Sequence, residues 1–570
     1  MKAPASTFVP FDFEPGDFAQ VEALGRALLD RTPSTGEQLR QWVLDLSSLY
    51  ERISEEGTRR RIDHACHTDD AAIEERFTFW IREIEPRLKP LMFELQKQFL
   101  ASQFVGELDD PKFLQMTREW RTEVAIYRPE NVPLQTQAAE VVKEYGKLTG
   151  AMLIDFRGRQ HTPQQMAVYL EETDRSTREE AWRLTARRRI ADHARFDDLF
   201  EQLLQLRQQM AVNAGFENYR GYAWKSRLRF DYKPEDCLAF AETVEKVCVP
   251  IVEELDEQRK AALGVESLRP WDLAVDVEGR APLRPFDAAD IPGFVEKTRE
   301  VFEKIEPSLA VQFIGLREQK GLDLDSRKGK RPGGFQASLE ASRRPFIFMN
   351  AVGLQRDVET LLHEGGHAFH YLAAAREPNV FVRHAPLEFC EVASMSMELL
   401  GADHFDVYYA DPDDAGRAKR TLLEGVIRLL PWVATIDTYQ HWLYTHPGHT
   451  RAERTEYWLK LHRRFSGRVV DWSGLDDERA TRWQQQLHLY HHPFYYIEYG
   501  IAQLGALSVW RNHRDDPTQA MRQLREAFAL GGTRPLPELF RVAGLRFDFS
   551  DATLRPLVES LSQELARMPV

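Results

Sequence analysis

Cysteine is scarce in this chain: four residues in 570, Cys66, Cys237, Cys248 and Cys390, with no Cys-x-x-Cys pair among them. That scarcity excludes a disulfide framework and suits a reducing compartment. No run of roughly 18 or more apolar residues occurs, so a membrane-spanning helix is not expected. The opening stretch, Met1-Lys-Ala-Pro-Ala-Ser-Thr-Phe-Val-Pro10, lacks the apolar segment of a secretory signal, and the expected location is the cytoplasm. Charge of one sign is not concentrated either. The 75 basic and 89 acidic residues give a net charge of −14 spread along the chain, so neither nucleic acid nor an anionic membrane is an expected partner. Repeats and low-complexity tracts are absent.

What remains is the composition of a large enzyme-sized protein, 43% hydrophobic and longer than one core supports, which implies two or more lobes. The patterning is mainly helical. Ser176-Thr-Arg-Glu179 reads as a capping box opening a long amphipathic segment, with Trp182, Leu184, Phe196, Leu199, Leu203, Leu206 and Met210 as candidate core positions. Asn213 to Tyr219 is a turn signal, which places a lobe boundary between residues 210 and 211. Strand character is confined to pieces such as Phe346-Ile-Phe-Met349. His64-Ala-Cys66-His67 sits on a helical pattern without a partner motif and is read as packing.

The informative motif is His363-Glu364-Gly365-Gly366-His367. Residues four apart share a helix face, so the two imidazoles converge on one point with Glu364 beside them. A catalytic zinc ion keeps three protein ligands and a water whose pKa falls toward about 7, and an adjacent carboxylate can take the water's proton. A third ligand must come from elsewhere. Glu388-Phe-Cys-Glu391-Val-Ala-Ser394-Met-Ser-Met-Glu398 reads as a second helix, and spacing alone leaves Glu388 and Glu391 both open as that ligand. Glu398, two turns beyond Glu391, is read either as a solvated charge or as an acceptor orienting a ligand histidine.

A second constellation runs through His488-Leu-Tyr490-His491-His492-Pro493-Phe494-Tyr495-Tyr496-Ile-Glu498-Tyr499. Pro493 fits a helix first turn, and phenol or imidazole donors from such a segment suit a developing oxyanion.

His-Glu-x-Gly-His-x-x-His followed by Glu-Val-Ala-Ser-x-x-x-Glu resembles the oligoendopeptidase F and thimet oligopeptidase family of zinc peptidases. Gly329-Lys-Arg-Pro-Gly-Gly-Phe335, Arg344-Pro-Phe-Ile-Phe-Met-Asn350 and Gly531-Gly-Thr-Arg-Pro-Leu-Pro-Glu-Leu-Phe-Arg-Val-Ala-Gly544 are similar to further family signatures. The resemblance implies a mainly α fold with a zincin-like core and a small sheet, shaped as a two-lobed bowl with a deep channel. Residues 1–210 would form an amino-terminal helical lobe and residues 211–570 the metallopeptidase lobe. It also implies one Zn²⁺ per chain held by His363, His367 and Glu391, and Glu364 as the proton acceptor. Oxyanion donors are drawn from His491 or His492, with His492 favoured, together with Tyr496 and Tyr499. Oligopeptides are the implied substrates, cut at internal bonds. One departure is Gly365, where family members carry a larger apolar residue; two adjacent glycines cost a helix roughly 1 kcal/mol each relative to alanine. A zinc aminopeptidase would share the motif helix but needs a device for a free amine, such as Gly-x-Met-Glu-Asn, which is absent. A noncatalytic binding protein would be expected to have lost Glu364 or a ligand, and none is lost.

Overall fold

The structure, a computed structural model, describes residues 8–568; the first seven residues of the opening stretch lie outside them. Helices dominate, as the sequence pattern predicts, and no described helix is long and apolar enough to cross a membrane. The four cysteines are free thiols.

Tertiary contacts divide the chain into two compact units, each assembled from three separated stretches. The first comprises Met1–Ala125, Leu283–Lys419 and Ala502–Phe547; the second comprises Ile126–Pro282, Arg420–Ile501 and Asp548–Val570. Met210 and Ala211 both lie in the helix His193–Asn213, within the second unit.

In the first unit, the helix Gly36–Cys66 buries Trp42, Val43, Leu46 and Ile53 against Trp80, Phe99, Phe113 and Trp120. Beside this core lies a three-stranded sheet. Numbering strands from the amino terminus, β1 (Ile154–Phe156) and β2 (Arg159–His161) form a hairpin in the second unit, while β3 (Leu322–Asp325), β4 (Phe335–Leu339) and β5 (Arg344–Ala351) form the sheet of the first. The strand order is β3-β5-β4, with β3 parallel and β4 antiparallel to β5. The strand expected at Phe346–Met349 is thus the central one, its Ile347 and Phe348 fully buried.

A buried ionic cluster locks the ends of this sheet in place. Arg343, in the turn from β4 to β5, reaches the Glu51 carboxylate at 2.5 Å and donates to the Ala375 and Glu377 carbonyls. Arg383 pairs with Glu51 and, at 2.5 Å, with Glu340, which also meets His384. Removing one partner of such a set leaves a buried charge uncompensated and costs about 3–5 kcal/mol. The Gly531-Gly532 pair closes on the same loop: an added Cβ would lie 2.3 Å from the Arg383 carbonyl at Gly531 and 2.2 Å from that of His384 at Gly532. Only glycine permits that approach, and the loop leads directly into the helix Leu387–Ala402.

The second unit is a helical assembly with an aromatic interior in which Phe200, Trp483, Tyr490, Tyr439 and Trp458 pack edge to face or tilted, apart from the stacked pair Trp483 and Tyr490. The expected capping box at Ser176 is replaced by an earlier cap. Asp174 accepts from the Ser176 and Thr177 amides, so the helix runs Arg175–Ile190, and it stops before a new helix, His193–Asn213, begins. Of the expected core positions in this stretch, Phe196, Leu203 and Met210 are buried, while Trp182, Leu184, Leu199 and Leu206 are half-buried.

Candidate active site

The motif helix spans Gln355–Ala374. Its start is set by Asp357, whose carboxylate accepts from the Val352 and Leu354 amides at 2.8 and 2.9 Å and so satisfies donors the first turn leaves open. Eleven of its side chains or glycine positions from Val358 onward are buried, and the helix packs on β5 and on Leu387–Ala402.

The two adjacent glycines explain how closely it packs. A Cβ on Gly365 would sit 2.6 Å from Phe302, and one on Gly366 would sit 2.5 Å from the Ala393 carbonyl and 2.6 Å from the Ser394 Cα. Both are therefore close-approach positions in a tightly packed helix. At Gly366 the neighbour is backbone of the helix Leu387–Ala402, so the missing side chain lets that helix approach until Glu391 reaches the histidine face.

There the structure brings His363, His367 and Glu391 together, one donor atom from each within 4.8 Å of the other two. Glu391 Oε2 lies 3.4 Å from His363 Nε2 and 3.7 Å from His367 Nε2. Two ligands at about 2.0–2.1 Å from a tetrahedral ion are about 3.3 Å apart, so the spacing fits a first-row divalent cation. Glu388, one turn earlier on the same helix and 5% exposed, is not part of this group.

The remaining contacts orient the donors. His363 Nδ1 meets Glu398 Oε1 at 2.6 Å, the His367 ring hydrogen-bonds the backbone of Cys390, and the Ser394 hydroxyl donates to Glu391 Oε2 at 3.1 Å. Glu364 points from the same helix, 7% exposed, and accepts from the Gln336 amide on edge strand β4.

Electrostatics favour a cation here. Burial pushes the Glu364 carboxyl up to about 7, reinforced by Glu391 and opposed by His363. Burial and Glu398 likewise raise Glu359, one turn before His363, to about 7. His363 is half-buried, and desolvation works against its charge, yet Glu398, Glu391 and Glu364 push it up to about 10. His367 is held down at about 4 by burial. Four carboxylates gathered in little water are relieved by a bound divalent ion, and two imidazole nitrogens with one carboxylate oxygen are a donor set that zinc accepts.

The second constellation lies in the second unit and differs from expectation at Pro493. A short helix, Leu487–His491, ends before it, Phe494 takes a left-handed φ of 64°, and the next helix begins at Tyr496 and runs to Asp515. His488, not singled out as a site residue, is the hub: its ring lies 5.0 Å from Tyr496, 5.5 Å from Tyr495, 5.8 Å from Tyr499 and 6.4 Å from His492. Tyr499 Oη and His488 Nε2 are 3.5 Å apart. The His492 side chain reaches solvent, and partial desolvation, then Arg227 and Arg207, lower its pKa. Tyr496 is 8% exposed and its hydroxyl bonds Trp432 and Gln486. The recurrence His488, His491, His492 within five residues was the available signal for the hub.

A mainly helical body carrying a His-Glu-x-x-His helix, with a glutamate from the next helix at the two imidazoles, defines a zincin-type metallopeptidase architecture. The chain belongs to peptidase family M3: the profile of that family matches residues 168–559, and that of the peptidase M3 N-terminal domain matches residues 8–127. It is similar to an oligoendopeptidase F homolog of Borreliella burgdorferi, 24% identical over 306 residues that cover 51% of this chain and 49% of that protein. It is also similar to oligopeptidase A of Escherichia coli, 27% identical over 254 residues covering 35% and 37%. The match thus spans half or less of the length of these curated relatives. Among solved structures, PZ peptidase A with an inhibitor superposes with a TM-score of 0.90 at 28% identity, covering 98% of this chain and 99% of that one. A chain described as an oligoendopeptidase F gives 0.89 at 27% identity, with 99% of each covered.

Proposed function

We propose that the chain is a zinc-dependent endopeptidase that hydrolyses internal bonds of short peptides. The observation that carries this reading is the convergence of His363, His367 and Glu391 with Glu364 beside them. Family membership and the relatives called oligoendopeptidase F and oligopeptidase A support the substrate class.

His363, His367 and Glu391 would hold the metal. Bound zinc supplies Lewis-acid chemistry, making water more acidic and a peptide carbonyl more electrophilic. Glu364 takes the proton of the attacking water on its carboxylate and delivers it to the leaving amine, with the Gln336 amide fixing its rotamer. Glu398 and the Cys390 backbone hold the two imidazoles in the tautomer that keeps a lone pair free. Tyr499, His492 and Tyr496 are the proposed hydrogen-bond donors to the oxyanion. Edge strand β4 offers backbone groups with which an extended peptide can pair, gripping it without reading side chains. The absence of disulfides among the four thiols is in keeping with a cytoplasmic location.

The test is a fluorescence-quenched peptide blocked at both ends. Cleavage that chelation abolishes and zinc restores supports the proposal, and cleavage that requires a free amino terminus replaces it with aminopeptidase activity.

A further inference from the structure

The second unit holds a further cluster of metal-ligating side chains that the proposed reaction does not use. The helix Pro234–Val247 and the helix Pro412–Thr445 bring Cys237, Asp437 and His441 together, one donor atom from each lying within 4.8 Å of the other two. All three are buried, with exposures of 0%, 1% and 3%.

Their hydrogen bonding is incomplete. Asp437 Oδ2 lies 3.1 Å from His441 Nε2, one turn along the same helix, but Asp437 Oδ1 and His441 Nδ1 have no hydrogen-bond partner. His441 is the ion-pair partner of Asp437, and no lysine or arginine pairs with it among the described residues. The rings of Trp224 and Phe494 flank the imidazole at 5.5 and 5.4 Å, which keeps water away.

Two polar atoms are thus left unpartnered in a dry pocket beside a thiol, an arrangement that a bound divalent cation satisfies. One thiolate, one carboxylate and one neutral imidazole around a dipositive ion sum to zero, which is the charge a dry site requires. Binding displaces the Cys237 thiol proton to solvent and changes no oxidation state. Sulfur and imidazole nitrogen in one set favour zinc over magnesium or calcium.

We propose that Cys237, Asp437 and His441 form a structural zinc site, distinct in donor chemistry from the His363, His367 and Glu391 set. It clamps the helix Pro234–Val247 to the helix Pro412–Thr445. All three ligands are buried, so a substrate has no access to the ion, and its role is to stabilise the second unit.

Cobalt substitution of the full-length protein tests this directly, because only a thiolate ligand gives the intense near-ultraviolet sulfur-to-cobalt charge-transfer band. The expected result is two metal equivalents per chain, with that band present in the wild type and retained in His363→Ala, which keeps one equivalent. Cys237→Ser should lose the band and one equivalent while still cleaving peptide. Loss of one equivalent in His441→Ala adds support. A wild-type cobalt protein without the sulfur band overturns the proposal, as does a band that survives Cys237→Ser. The wild-type and His363→Ala spectra decide the matter even if the Cys237 variant fails to fold. A single equivalent carrying the band would instead support this site and count against the catalytic assignment.

Discussion

His363 Nδ1 and Glu398 Oε1 are 2.6 Å apart, and that one contact decides which imidazole nitrogen faces Glu391. With the Nδ1 proton committed to Glu398, Nε2, 3.4 Å from Glu391 Oε2, is the nitrogen that would bind an ion once its own proton is displaced. Glu398→Gln keeps the shape but removes the charge that orients the ring. Metal affinity, measured by chelator competition, should fall about 10- to 100-fold, with kcat at saturating zinc largely kept. Unchanged affinity would show that Glu398 is a bystander.

Glu364→Gln should leave metal content intact and reduce kcat by about 10²–10⁴-fold, since an amide cannot accept the proton that the carboxylate takes. Metal analysis beside steady-state kinetics separates the two effects. A variant that retains turnover would remove Glu364 from the reaction.

Gly366→Ala should be the more damaging of the two glycine substitutions. Its new Cβ meets backbone of the Glu391 helix at 2.5 Å, whereas at Gly365 it meets the ring of Phe302 at 2.6 Å. Overpacking of this kind costs about 1–3 kcal/mol, and at Gly366 the displaced element carries the proposed third ligand, Glu391. Denaturation midpoints should drop for both variants, and zinc affinity should drop for Gly366→Ala above all. Phe302→Leu should rescue Gly365→Ala and not Gly366→Ala.

Tyr499→Phe should lower kcat more than it changes metal content, because its hydroxyl is the one lying 3.5 Å from His488 Nε2. Unchanged kcat would exclude the hydroxyl from the mechanism.

The buried His462 gives a pH dependence of stability. Burial first, then Arg482 and Arg479, holds its pKa down at about 2, and Arg479 Nε donates to its Nδ1 at 3.1 Å. In the unfolded chain the imidazole titrates near 6.5, so as pH falls below that value the unfolded state binds the proton first and stability is lost. Between pH 7.5 and 5 the loss should be about 2 kcal/mol from this residue. His462→Gln, compared with wild type by urea midpoints at both pH values, should show a smaller drop; an identical drop would contradict the assignment.

Local spacing made the motif helix legible: four residues place two imidazoles on one face whatever surrounds them. Glu391 as the candidate third ligand was legible only through family resemblance, because the sequence does not say that Gly366 allows a close helix approach at Ala393. The break at His492 to Tyr495 escaped sequence reasoning for a long-range reason. Phe494 is held in its left-handed conformation by its amide donating to Gln440 at 2.5 Å and by Arg229 at its carbonyl, both distant in the chain. Likewise, the two compact units interleave stretches that lie hundreds of residues apart, and no composition shift marks those crossings. Edge strands β3 and β4 are four and five residues long and gain their identity from pairing with β5.

The most direct test of the account is metal content and blocked-peptide cleavage measured together on Glu391→Ala and Glu388→Ala. We expect Glu391→Ala to lose the catalytic zinc and all cleavage, with Glu388→Ala keeping both. Loss of the ion from Glu388→Ala, with Glu391→Ala still loaded and active, would contradict the arrangement of ligands on which the proposed reaction rests.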